Sequence, residues 1–373
     1  MNTKNQMNHS VLSLLALIAV VFILYVLKPF IVPIIFAIIL SVMIFPIQRF
    51  LEKKWRCNRL FATLTSIIVL FFITALIFAL ISTRLLYFMD NSEVYSQKLA
   101  ELFHKFVNSI EHTFNIGNNR IFANQELKAE NIIKDNLDKV GVVLSESSSL
   151  LGDLVLIPIY IFFFLYYRAF FRTFFYKAFK SKSKSFINSI LKKIYEIQQN
   201  YLLGLLKVIV IVGCLNSLGL VLLGIGNPIF FGFLAALLLL IPYIGVIIGS
   251  LLPAIIALAT KDSAWYAFGV IAVFGFIQFL EGNFITPKIT GSKVSVNAFV
   301  VITSLVLFSM LWGITGMILA LPITATLKIL FDNTSGYEAY GFLIGEPIDK
   351  HLQSKARGRL KKWKSIRKTK NDA

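Results

Sequence analysis

Long apolar runs dominate the chain, recurring at 11–27, 29–47, 60–82, 150–167, 203–225, 229–260, 264–285 and 298–331. A straight helix needs about 20 apolar residues to cross a bilayer. The pattern therefore predicts an all-α, polytopic membrane protein with about eight membrane segments. Only Lys28-Pro29 separates the first two runs, which read as a tight helical hairpin; a small-residue cleavage site, as a signal peptide would have, is absent there.

Two runs, 229–260 and 298–331, exceed 30 residues and are too long for one straight span. The first contains Gly232, then Ile241-Pro242-Tyr243-Ile244-Gly245, Gly249 and Pro253. The second contains Trp312-Gly313-Ile314-Thr315-Gly316 and Pro322. Glycine and proline weaken or remove helical hydrogen bonds, and the freed backbone groups cannot face lipid. Paired interruptions of this kind point to a transporter binding site near the midplane. Two geometries fit: a broken helix that crosses once, or a re-entrant hairpin. Length favours hairpins, whose limbs of roughly 12 to 16 residues reach about 18 to 24 Å. The same residues also serve close helix packing without any site.

Between 84 and 148 the pattern changes, with seven basic residues facing nine acids. Leu99, Leu102, Phe103, Phe106, Val107 and Ile110, then Ile132, Ile133, Leu137, Val140 and Leu144, recur at helical spacing on either side of a turn-like stretch at 115–119. An extracytoplasmic helical subdomain is expected. The chain thus divides into N-terminal segments (1–83), this subdomain (84–148), a C-terminal membrane core (149–332) and a basic tail (333–373).

Charge sets the orientation. The net charge is +18, and its cations cluster beside segment ends: Arg49, Lys53, Lys54, Arg56 and Arg59; Arg168, Arg172, Lys177, Lys180, Lys182, Lys184, Lys192 and Lys193; and ten in 350–370. By the positive-inside rule these face the cytoplasm, as do both termini. The stretch 179–200 also reads as a basic amphipathic helix able to lie on anionic headgroups. Nucleic acid is not an expected partner, because aromatic interleaving in the tail is limited to Trp363.

Composition agrees: 57% of residues are apolar and 15% charged, with a mean hydropathy of +0.75. Cys57 and Cys214 are too far apart in sequence to suggest a disulfide framework or a zinc site. The four histidines lie outside the runs, and no nucleophile elbow, His-Glu-x-x-His or phosphate-cradling loop occurs. Neither an enzyme nor an ATP-driven pump is expected, and no cofactor or metal is implied.

Ionisable groups within apolar runs are costly unless paired or hydrated. Glu281 is the main one, with Gln278 three residues earlier on the same face, then Asn283, and Asp153 at the start of the fourth run. Glu281 either binds a cation or proton, with Gln278 and Asn283 as neutral ligands, or snorkels to the interface. Asn216 and Ser217 read first as interhelical hydrogen-bonding residues, with substrate contact as the rarer alternative.

Three stretches carry a family resemblance: Ile241-Pro242-Tyr243-Ile244-Gly245 with Gly249 and Pro253; Gln278-Phe279-Leu280-Glu281-Gly282-Asn283 with Pro287 and Gly291; and Gly313-Ile314 with Gly316, Ala320, Pro322 and Ile323. Together with Pro29, Pro33 and Pro46, they resemble the autoinducer-2 exporter family of bacterial transporters. The resemblance is strongest from about 201 to 332. It implies a homo-oligomer, in particular a pentamer, in a bacterial inner membrane, and export of a small signalling molecule by some members. Sodium or lithium exchange for protons is attributed to others. One departure is Arg168, a base where an acid is expected, so a cation role for that position in relatives does not carry over.

The breaks and the polar face, with Pro287 from the shared motif, nominate Pro242, Tyr243, Gly245, Gln278, Glu281, Asn283, Pro287, Gly313, Gly316 and Pro322 as substrate or ion translocation residues. The expected function is secondary export of a small polar solute. A sodium/proton antiporter is the alternative within transport. A non-transporting scaffold or receptor, binding through 84–148, is the alternative outside it.

Overall fold

A computed structural model describes residues 3–90, 150–241, 244–290 and 296–346. Residues 84–90 of the predicted subdomain belong to the preceding helix, while residues 91–148 and most of the basic tail lie outside the described residues. So do Pro242 and Tyr243.

The described chain is helical. It runs through α1 (Thr3–Val26), α2 (Lys28–Lys54), α3 (Arg59–Asp90), α4 (Leu150–Tyr166), α5 (Arg168–Ala178), α6 (Lys184–Leu222), α7 (Pro228–Leu238), α8 (Ile244–Thr260) and α9 (Trp265–Leu280). A π-turn (Glu281–Ile285) then leads into α10 (Thr286–Thr290), α11 (Ala298–Trp312), α12 (Ile314–Asp332) and α13 (Glu338–Ile344). Five of the described helices are long and apolar enough to cross a membrane: Lys28–Lys54, Arg59–Arg84, Lys184–Leu222, Trp265–Ile289 and Ile314–Asp332. A sixth follows if α4 and α5, which meet at 71°, form one span. The shorter apolar helices are the limbs of the interrupted segments, so helix length alone does not yield the predicted eight.

The outer surface is that of a protein solvated by lipid. Leu222, Trp265, Phe299 and Met310 are each more than 70% exposed, an apolar surface that water would not tolerate in this quantity. Inside, Leu220, Phe231, Ala254, Ala257, Val270 and Phe274 form a core shared by α6, α7, α8 and α9.

Helix α6 organises the C-terminal half. Sequence pattern separates its basic amphipathic part from its apolar part, but no proline intervenes, Gly204 at the junction is accommodated, and one continuous 39-residue helix forms. Ser183 caps it, its hydroxyl accepting from the Phe186 N–H at 3.2 Å. Small residues along α6 admit neighbours closely. A Cβ at Gly232 would lie 2.8 Å from Ser217 Cα, and one at Gly213 would lie 2.8 Å from the Phe233 ring, so α7 crosses α6 almost backbone to backbone.

Each interrupted segment folds into two antiparallel limbs. In the first, a Cβ at Gly249 would lie 2.6 Å from Ala235 Cβ. In a straight helix these positions would stand about 21 Å apart, so α8 returns alongside α7. Its base is at the C-terminal end of α6, where a Cβ at Gly224 would lie 3.2 Å from Lys261 Nζ.

In the second, Gly313 takes φ 70° and ψ −144°, a conformation that favours glycine, and the chain reverses between α11 and α12. Its base is stitched by Asn297, whose side chain donates to the carbonyls of Leu343 (2.6 Å) and Gly345 (3.0 Å) and accepts from the Val300 N–H (2.9 Å). Residues 333–346, assigned to the tail from sequence, are folded onto this base by those bonds and by the bridge between Val296 and Gly345. This base meets the N-terminal part of α6: Lys193 donates to Asn333 Oδ1 at 3.5 Å, and Gln198 Nε2 donates to the Pro322 carbonyl at 2.6 Å and to Thr326 at 2.7 Å. The two hairpins therefore approach α6 from opposite ends.

Beside this N-terminal part of α6, where Phe45 of α2 meets Tyr195 at 5.5 Å, Glu52 on α2 accepts from Arg168 at 2.7 Å and from Gln48 at 3.1 Å, and Gln48 also donates to Thr63 on α3 at 2.8 Å. The base at 168 is thus the partner of an acid on another helix. This pairing accounts for a cation at that position.

Candidate translocation site

The polar face predicted around Glu281 is built by a local change of helical pitch. Proline at 287 has no N–H, and its ring would clash with the carbonyl of residue 283 in a regular α-helix. The helix widens into a π-turn just before it, with the Thr286 N–H bonded to the Glu281 carbonyl five residues back. Such turns are frequent at functional sites.

Widening has a chemical result. In an α-helix Ile285 would sit above Glu281, but here Thr286 does. Its hydroxyl donates to Glu281 Oε1, while Gln278 Nε2 donates to Oε2 at 2.8 Å. Both carboxylate oxygens are thus held at fixed positions in a half-buried setting. Asn283, expected beside Glu281, turns away: its amide donates to the Phe279 carbonyl at 2.9 Å and the side chain is exposed. Pro287 is also exposed, and it shapes the turn.

Gln278 links this carboxylate to the first hairpin. Together with Val212 and Asn216 of α6, Ala235, Leu239, Val246 and Phe274, it lines a small enclosed cavity of about 10 Å³, roughly one water-sized sphere. Asn216 is 4% exposed, and its Oδ1 has no hydrogen-bond partner among the described residues. A buried carbonyl oxygen left unpaired costs about 1 to 3 kcal/mol; Gln48 and Gln198 each hold one too, and what distinguishes Asn216 is that it lines this cavity with Gln278. Ser217, by contrast, donates to the Gly213 carbonyl of its own helix at 2.7 Å.

The remaining sequence-predicted residues serve the hairpins. A Cβ at Gly245 would overlap the Leu238 carbonyl, and one at Gly316 would overlap the Phe308 carbonyl and approach Trp312 to 3.1 Å. Gly313 makes the second reversal, and Pro322 presents its carbonyl to Gln198. These four are brought to two hairpins rather than to the Glu281 carboxylate. Thr286 was missed because a five-residue separation matches no α-helical face; Gly282 and Pro287 around it are the available signal. No grouping of His, Cys, Asp and Glu suited to a metal occurs among the described residues.

The family model described as AI-2E family transporter matches residues 14–336. This chain belongs to the AI-2E transporter family. It is accordingly a multi-pass membrane transporter. Among its relatives, the Bacillus subtilis protein named "Putative transport protein YueF" is 24% identical over 83% of this chain and 87% of its own length. The protein of the same organism named "Putative transport protein YrrI" is 34% identical over 35% of this chain and 36% of its own length. "AI-2 transport protein TqsA" of Escherichia coli is 30% identical over 31% of this chain. The chain is thus aligned along most of YueF but with only about a third of YrrI and of TqsA (33% of the latter).

Proposed function

We propose that this member of the family is a secondary transporter that exports a small polar solute, an autoinducer-type signalling molecule being the class indicated by the name of its relative TqsA. The observation that carries the reading is the pair of antiparallel hairpins approaching α6 from opposite ends, one of them sharing a cavity with the Gln278 that holds Glu281. In a bilayer such hairpins are re-entrant, and irregular backbone at their tips is tolerable where it lines a solute path. Glu281, Gln278 and Asn216 offer one carboxylate and two amides, a set that suits hydroxyl-rich neutral molecules. Coupling to an ion gradient takes the place of ATP.

The orientation follows from the cations: the basic ends lie in the cytoplasm of a bacterial inner-membrane protein, both termini among them. Assembly as a homo-oligomer, a pentamer by resemblance, is tested by light scattering of the detergent-solubilised protein. Function is tested in proteoliposomes carrying autoinducer-2 on one side. Glu281→Gln abolishes flux while circular dichroism stays unchanged; flux equal to wild type overturns the assignment. A trapped pH dye that responds to a sodium pulse, without any autoinducer flux, replaces export by antiport.

A further inference from the structure

The bend between α4 and α5 plays no part in the transport reading. Helix α5 leaves the apolar α4 at 71°, so with α4 along the membrane normal α5 lies close to the membrane plane. Its sequence places Phe170, Phe171, Phe174 and Phe175 on one face, with Arg168, Arg172 and Lys177 flanking them. None of its residues is buried in the protein. A helix of that composition and angle is an interfacial helix, rings in the acyl boundary and cations among headgroups.

The elbow itself holds an open groove of about 460 Å³, lined by Tyr160, Phe163, Phe164, Tyr167, Phe170 and Phe171. Phe164 and Phe171 hold it together, their rings 5.3 Å apart, while Phe163 and Phe170 are 44% and 67% exposed. Six cations and no acid occur between 168 and 184. A second copy of the chain docking here by two-fold symmetry would bring this charge against itself. A polar solute would find aromatic rings in place of hydrogen-bonding partners.

We propose that the α4–α5 elbow is a binding site for one anionic phospholipid, its acyl chain in the aromatic groove and its phosphate against Arg172 and Lys177. The site adds headgroup selectivity to a surface that any lipid could cover. It is independent of the solute carried. Arg168 contributes less, being committed to Glu52.

Native mass spectrometry of the full chain in mild detergent, titrated with dioleoyl-phosphatidylglycerol or dioleoyl-phosphatidylcholine, tests it. Phosphatidylglycerol binds more tightly to the wild type. At about fivefold per cation, Arg172→Ala with Lys177→Ala weakens it more than tenfold and leaves phosphatidylcholine unchanged. The charge-conserving pair Arg172→Lys and Lys177→Arg retains most of the preference, which separates lost charge from misfolding. Phe163→Ala with Phe170→Ala weakens both lipids. Equal binding of the two lipids by the wild type overturns the site, as does a double alanine variant that still prefers phosphatidylglycerol. Dimer formation in place of lipid adducts, lost in the same variants, also overturns it.

Discussion

Substitution of Gly249 by alanine tests the close approach of the first hairpin's limbs. The added methyl would lie 2.6 Å from Ala235 Cβ and 2.8 Å from Ala235 Cα. Carbon atoms settle at about 3.5–4.0 Å, so the limbs must part by about 1 Å, and the obstructing atoms belong to a helix that cannot rotate out of the way. Overpacking of this kind costs about 1 to 3 kcal/mol, partly offset by the better helix propensity of alanine. At roughly 2 to 4 °C per kcal/mol for larger chains, the thermal midpoint in detergent falls by about 2 to 10 °C. Tryptophan fluorescence is a suitable readout because Trp312 is buried. Gly275→Ala is the matched control, since nothing lies within 4 Å of its Cβ position; it melts at or above the wild-type temperature. Adding Ala235→Gly to Gly249→Ala recovers at most a small part of the loss, because Ala235 Cα still lies 2.8 Å from the new methyl and a glycine at 235 itself costs about 1 kcal/mol in a helix. If Gly249→Ala melts with the wild type, the limbs do not pack as described.

Thr286→Val removes one donor to Glu281 and is expected to reduce flux at least tenfold with a midpoint shift under about 3 °C, measured on one reconstituted preparation. Gly313→Ala forces a side chain onto φ 70° and lowers stability by about 1 to 3 kcal/mol, read as denaturation midpoint. Arg168→Ala leaves Glu52, 18% exposed, without its guanidinium and is destabilising by about 1 to 3 kcal/mol. Combining it with Glu52→Gln costs less than the two single changes added together, and a thermal-shift double-mutant cycle measures the difference.

The bilayer habit of the chain and its two interruptions are legible in sequence because each rests on one residue property: long apolar runs, and Gly or Pro within them. The direction of the second limb is not, since a broken span and a hairpin contain the same glycines; only the proximity of Gly249 to Ala235 and of Asn297 to Gly345 separates them. Sequence divides helix α6 at its change of polarity, whereas backbone hydrogen bonding is lost at proline, which is absent there, and continues through Gly204. At the site, Glu281 and Gln278 share an α-helical face and were found together. Asn283, expected beside Glu281, points elsewhere, and Thr286, for which the sequence raises no expectation, bonds to it instead, because Pro287 favours a π-turn and a π-turn shifts each following residue around the axis. Asn216 reads from sequence as an interhelical bonding residue first and a substrate contact second; the setting of its Oδ1 depends on what α7, α8 and α9 bring near it, which no local pattern encodes.

Among the described residues, a hydrogen bond joins the first helix to the second hairpin. The indole of Trp312, one residue before the reversal at Gly313, donates to the Leu24 carbonyl at 3.0 Å across a sequence separation of 288. Trp312 is synthesised 288 residues after Leu24, long after α2, which also packs on α1. A chain halted before residue 312 can therefore pair these two helices but lacks the tie between Leu24 and the second hairpin, which forms only as that hairpin closes.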